Sequence, residues 1–224
     1  MENSQRCFEL LAAQDADGLR RLLDEDPAAA DACDASGISL LMHTLYQGRR
    51  DLAEMVAAKK SALDIFEAAS LGRLDRLAAC LRDPSALNSR SKDGFTALHF
   101  ACYFGQPEAV RVLLENGAAV DAVAANLMQV MPLHSAASAR NVAAARMLLE
   151  HGAPVNARQH GGWAPIHAAA QNGDQAMAEL LLQHGADPEA INDDGKTPAT
   201  VAREKGHEAV AALLDGPGLN RAIS

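Results

Sequence analysis

The segment GFTALHFACYFG, Gly94 to Gly105, returns in altered form as MPLHSAASAR, APIHAAAQNG and TPATVAREKG. Its anchors Leu98, Leu133, Ile166 and Ala199 stand 35, 33 and 33 residues apart, and the first three copies lead into a second apolar run of the kind PEAVRVLLENGAAVD. A unit this short cannot bury its own apolar face. A period near 33 therefore predicts stacked repeats that share a continuous core between neighbours.

Each unit reads as two helices around a tight turn. In the copy that begins at Asp93, Thr96 is suited to cap a helix through Phe104, Gly105 permits the turn, and Pro107 suits the first turn of a second helix. That helix carries Ala109, Val110, Val112, Leu113 and Leu114 at helical spacing and stops at Asn116-Gly117. His151 and His184 fall in the equivalent last turn, where a cation favours the helix C-terminus.

The period extends to both ends of the chain. FELLAAQDADGLRRLLDEDP is a degenerate first unit, with Asp26-Pro27 stopping its second helix. SGISLLMHTLYQGRRDLAEMVAAKK follows the template, with Leu41 at the anchor, Met42 at the histidine position and Gly48 at the turn. Aligning Ile65 with Leu41 leaves only 24 residues, which predicts a short connection near residues 59–64 without an extended loop and puts Phe66 at the histidine position. Between Asp121 and Pro132 the connection is instead two residues longer and unusually apolar. Seven units result, at about 3–33, 34–60, 61–88, 89–121, 122–156, 157–189 and 190–215, forming one domain over 1–215 with a flexible tail over 216–224.

Thr-Ala-Leu-His at Thr96 to His99, Met-Pro-Leu-His at Met131 to His134, Ala-Pro-Ile-His at Ala164 to His167 and Thr197-Pro198, with Leu-Leu-x-x-Gly-Ala recurring after them, resemble the signature of the ankyrin repeat. The resemblance implies an all-α solenoid of stacked helix-turn-helix units with hairpin finger loops. It also implies a concave surface of fingers and first helices that binds other proteins without catalysis. Met42, Phe66, the short second connection and Arg140, which stands where the turn glycine belongs, depart from that pattern.

Composition excludes several classes. The formal net charge is −9 and no Lys/Arg run exceeds two residues, so the basic footprint of nucleic-acid binding is absent and a partner with a neutral or basic surface is expected. Cys7, Cys33, Cys80 and Cys102 form no Cys-x-x-Cys pair and read as free thiols. No apolar run is long enough to span a membrane and no signal segment opens the chain, which fits a cytoplasmic monomer. No cofactor or metal is expected. Equivalent helices of neighbouring units lie about 8–10 Å apart, so His99, His134 and His167 cannot share one zinc and are expected to bond to backbone. Gly195-Lys196-Thr197 lacks the upstream glycine of a phosphate loop, since Ala190 stands there, and His207-Glu208 lacks a second ligand at Ala211. No enzyme motif remains.

The aromatic residues carry the sharpest expectation. Tyr46, Phe95, Tyr103, Phe104 and Trp163 fall where the repeat exposes finger or first-helix end, and Ile38 joins them. Leu127, Met128 and Val130 extend this strip through the enlarged connection, rimmed by Lys92, Asp93, His160, Gln171 and Asn172, whereas Phe8, Phe66 and Phe100 are expected in the core. Such a strip has the anatomy of a binding patch. The expected function is a protein-interaction module, with a dedicated inhibitor of one enzyme as the alternative.

Overall fold

The computed structural model describes residues 2–216; the tail expected over 216–224 lies outside them apart from Gly216. The chain forms two compact units that divide after Ala68. The first contains α1 (Glu2–Ala12), α2 (Ala16–Glu25), α3 (Leu40–Tyr46), α4 (Arg50–Lys59) and the start of α5 (Ile65–Leu71). The second contains the rest of α5, then α6 (Leu74–Cys80), α7 (Ala97–Tyr103), α8 (Pro107–Glu115), α9 (Pro132–Ser138), α10 (Val142–Glu150), α11 (Pro165–Asn172), α12 (Gln175–Gln183), α13 (Pro198–Glu204) and α14 (Glu208–Asp215). Six pairs pack together, α1 with α2, α3 with α4, α7 with α8, α9 with α10, α11 with α12 and α13 with α14; loops and two short 3-10 turns at Pro27–Asp31 and His160–Gly162 join the helices, and the described residues contain no strand.

In the second unit α7, α9, α11 and α13 pack side by side as one layer, and α6, α8, α10, α12 and α14 as another. Alanine makes the first layer possible. Ala101, Ala136, Ala137, Ala169, Ala170 and Ala202 are wholly buried, and side chains that small let backbones approach closely. Leu113, Leu148 and Leu181 fill the space between the layers with no exposed surface, each contributing about 1.5–3 kcal/mol of apolar burial. Proline opens α8, α9, α11 and α13, where its fixed φ suits the first turn and its missing N–H costs nothing.

The turn between the helices of a pair always takes a left-handed residue. Gly105, Gly173 and Gly206 supply it at φ +70, +64 and +78, whereas Arg140 adopts it at φ +59 despite its Cβ. Two contacts restrain Arg140 there: its Nη2 donates to the Asn172 carbonyl at 2.6 Å and its Nε faces Asp174 at 3.9 Å. Gln14 holds the same conformation in the first unit at φ +56.

The structure corrects the register of the third repeat. Asp64 precedes α5, and the pair Asp64–Glu67 closes a capping box: the Glu67 N–H donates to Asp64 Oδ1 at 2.8 Å and the Asp64 N–H to Glu67 Oε2 at 3.1 Å. Phe66 therefore stands at the leucine anchor and Glu67 at the histidine position. Leu41 and Phe66 are 25 residues apart, so eight residues rather than nine are missing. Residues 60–64 run directly from α4 to α5 with no finger.

Glu67 is 1% exposed and its carboxylate is fully engaged. Ser39 Oγ donates to Oε1 at 2.6 Å, and Lys60 Nζ, on a side chain 7% exposed, lies 3.2 Å from the same oxygen and 3.5 Å from Asp31 Oδ1. The short connection is thus closed by a buried ion pair where the other repeats use a finger.

The cysteines are free. Burial raises the thiol pKa of Cys7 and Cys102, that of Cys102 very strongly, whereas Cys33 is exposed. A thiol reagent such as dithionitrobenzoate is expected to label Cys33 at once in the native protein and to reach Cys7 and Cys102 only on unfolding. Rapid labelling of Cys102 without denaturant would contradict this packing.

Candidate protein-interaction surface

The finger before each first helix is a tight turn closed on itself. In the second unit the Ser91 N–H donates to the Phe95 carbonyl, Ala124 to Val130, Gln159 to Trp163 and Asn192 to Lys196, at 2.8–3.1 Å. Each finger also bonds the next: Ala125 N to Gly94 O at 2.9 Å, His160 N to Met128 O at 3.0 Å and Asp193 N to Gly161 O at 3.0 Å. Gly94 is required at this contact, since a Cβ there would stand 2.7 Å from the Ala125 backbone.

A histidine on the first helix of the preceding repeat anchors each of the last three fingers. In the first such unit the Thr96 N–H donates to His99 Nδ1 at 3.2 Å, which puts the ring proton on Nε2, and Nε2–H donates to the Val130 carbonyl at 3.1 Å. His134 repeats this between Met131 N and Ala157 O, and His167 between Ala164 N and Lys196 O. Both nitrogens of all three rings are occupied by backbone. Desolvation is the main cause that lowers their pKa values, that of His99 from 6.5 to about 4. The column ends at Thr200, whose N–H is capped by Thr197 Oγ1 at 3.3 Å. Among the described residues no group of three or more His, Cys, Asp or Glu is placed to hold a metal ion, and no helix is long and apolar enough to cross a membrane.

The enlarged finger is held on both sides. Asn126 Nδ2 donates to the Asp93 carbonyl at 2.9 Å, Asn126 Oδ1 accepts from the Met128 N–H at 3.0 Å, and the Arg90 guanidinium donates to the Gly94 and Val123 carbonyls. A left-handed Gln129, φ +51, completes the turn. It presents Leu127 88% exposed and Met128 50% exposed.

The expected strip separates into two kinds of residue. Tyr103 is 51% exposed, with Leu127 and Met128 beyond it, whereas Phe95, Phe104, Val130 and Trp163 are half-buried. Phe100, buried, explains two of these: Phe95 meets its ring at 5.6 Å and Phe104 stacks on it at 6.3 Å, so both rings partly belong to the core. Trp163 leans on His167 at 5.5 Å. Val123 and Ile191, which the sequence reading passed over, are 39% and 51% exposed. In the first unit Tyr46 is 42% exposed and Ile38 half-buried in the finger closed by Asp34. Phe8 and Phe66 are half-buried rather than core residues, and Phe8 meets His43 edge-on at 5.2 Å. Of the expected rim, Lys92, His160 and Gln171 are exposed while Asp93 and Asn172 are half-buried.

Fingers tied to one another and set against a layer of short first helices define a class: repeat proteins that offer a preformed surface. The chain belongs to the ankyrin-repeat family, whose model of three ankyrin repeats matches residues 55–159 and again 155–222. It is 40% identical over 124 residues to a zinc finger CCCH domain-containing protein 24 of Oryza sativa subsp. japonica, covering 53% of this chain and 14% of that one. It is 36% identical over 99 residues to the human DNA-binding protein RFXANK, covering 43% and 38%. An ankyrin repeat domain-containing protein oryK of Aspergillus oryzae is 43% identical over 56 residues, 25% of this chain and 9% of that protein. The chain thus spans well under half of each of these relatives. Ankyrin repeats make it a protein–protein interaction module of a family that is generally non-catalytic.

Proposed function

We propose that the fingers and first helices of the second unit bind a partner protein, anchored by Tyr103, Leu127 and Met128, with Phe95, Phe104, Val130 and Trp163 supplying the half-buried floor. The observation that carries this reading is Leu127, which is 88% exposed on a finger fixed by hydrogen bonds to both neighbours. An apolar side chain held in water by a rigid loop gains only when a partner covers it, and a preformed surface loses little ordering entropy on binding. In the first unit, Ile38 and Tyr46 are proposed to make contacts of the same kind.

Affinity capture with the full chain, compared with Tyr103→Ala and Leu127→Ala, tests this. Both side chains are exposed, so folding is expected to stay intact, while capture of the stoichiometric partner falls by about tenfold or more for at least one variant. Unchanged capture with both replaced together would refute the assignment. A single captured enzyme whose activity falls in the complex would identify a dedicated inhibitor in place of an adaptor.

A further inference from the structure

Charge is distributed unevenly along the chain in a way the net value of −9 conceals. From Ala122 to Gly173 the one carboxylate is Glu150, at the end of α10 in the second-helix layer, whereas Arg140, Arg146 and Arg158 fall in the same stretch. The fingers and first helices over these residues carry no negative side chain at all.

One position repeats outward through this region and the finger on either side of it, where Asp93, Asp193 and Asp194 do bring negative charge. The residue just before each finger turn is Arg90, Val123, Arg158 and Ile191 in successive repeats, because Ser91, Ala124, Gln159 and Asn192 begin the closed turns. All four are exposed. The Arg90 guanidinium is spent on neutral carbonyls, those of Gly94 and Val123, which leaves its charge uncompensated, and neither Arg90 nor Arg158 has a carboxylate partner among the described residues. The result is a column of alternating cation and hydrophobe along a row of fingers joined by backbone hydrogen bonds.

We infer that this column selects an extended partner segment in which acidic and apolar side chains alternate. Stacked helices stand about 8–10 Å apart, and an extended chain of polyproline-II type advances about 3.1 Å per residue with every third side chain on one face, so consecutive column positions match every third residue of the segment. An acid opposite Arg90 and another opposite Arg158, about six residues apart, would bracket an apolar residue over Val123, with a further apolar residue over Ile191. This inference rests on the interaction surface proposed above and specifies its partner. It also opposes the neutral or basic partner that net charge alone suggests, since complementarity at contact distance depends on the local row. Three cations, Arg90, Lys92 and Arg158, interleaved with hydrophobes, suit a peptide better than a continuous phosphate backbone.

Selection of short random peptides displayed on phage against the full chain tests this. Enriched peptides are expected to carry acidic and apolar residues at intervals of about three and to lose about tenfold or more in affinity against Arg158→Glu, whose side chain holds no backbone carbonyl. A synthetic enriched peptide should also weaken as salt rises. Enriched peptides without acidic bias, binding unchanged by Arg158→Glu, absence of enrichment, or binding of random duplex DNA at physiological salt would each overturn the inference. Peptides that lack acids yet depend on Tyr103 or Leu127 would leave the interaction surface standing while removing this partner class.

Discussion

Replacing Lys60 by Met is expected to lower the stability of the protein by about 3–5 kcal/mol, the cost of leaving a buried carboxylate without its counterion. Glu67 is 1% exposed and Lys60 is its closest cation at 3.2 Å. Ser39 Oγ and the Asp64 N–H still donate to the carboxylate in the variant, but neither brings a charge. Glu67→Gln is the milder change: the amide oxygen can keep the bond from the Asp64 N–H while the amide NH2 donates to Ser39 Oγ, and Lys60 retains Asp31 at 3.5 Å. Combining the two removes both buried charges, so the double variant should be more stable than Lys60→Met alone by roughly 2 kcal/mol or more. Urea unfolding of the four proteins closes this cycle. A loss below about 1 kcal/mol for Lys60→Met would mean that Glu67 finds solvent or another cation and that the short connection is not held by this pair.

The helix that carries Glu67 is also where the sequence admits two registers. Ile65 and Phe66 are both large and apolar, so periodicity alone fits either one to the leucine anchor, and the wrong choice moves the histidine position onto Phe66. The capping signature Asp64-x-x-Glu67 was the available signal, because it fixes the first turn of the helix whatever the apolar residues do. Elsewhere period and capping agree: Thr96 caps α7, proline opens four helices, and Arg140 takes the left-handed turn at the very place where glycine is missing.

The exposure of the proposed strip was legible only where a side chain has no neighbour to cover it. Tyr103, Leu127 and Met128 could be placed on the surface from the repeat alone. Phe95 and Phe104 could not be resolved, because Phe100 sits between them and draws both rings inward, a three-body contact that no period encodes. Val123 and Ile191 escaped notice for the opposite reason: each is an ordinary aliphatic residue, conspicuous only when its column also contains Arg90 and Arg158.

Acid should loosen the finger row before it protonates most carboxylates. His99, His134 and His167 are neutral in the folded protein, with Nε2–H donated to the next finger, and burial depresses their pKa values, that of His99 from 6.5 to about 4. A depressed histidine pKa means that the unfolded chain takes up a proton which the folded one refuses. Stability is therefore fully present above pH 6.5 and is lost as pH falls from 6.5 towards the folded value. For His99 the complete loss is on the order of 3 kcal/mol at pH 4, and the slope between pH 6.5 and 5 approaches about 1.4 kcal/mol per pH unit for each histidine that stays neutral. His99→Gln isolates the term. An amide is able to keep one of the two backbone bonds but cannot titrate, so the variant should be weaker at pH 7.5 and show a shallower fall in unfolding free energy between pH 6.5 and 5, by close to one bound proton. Parallel pH profiles for the two proteins would show that folded His99 takes up a proton as readily as the unfolded chain does, so that its Nδ1 is not committed to accepting from the Thr96 N–H.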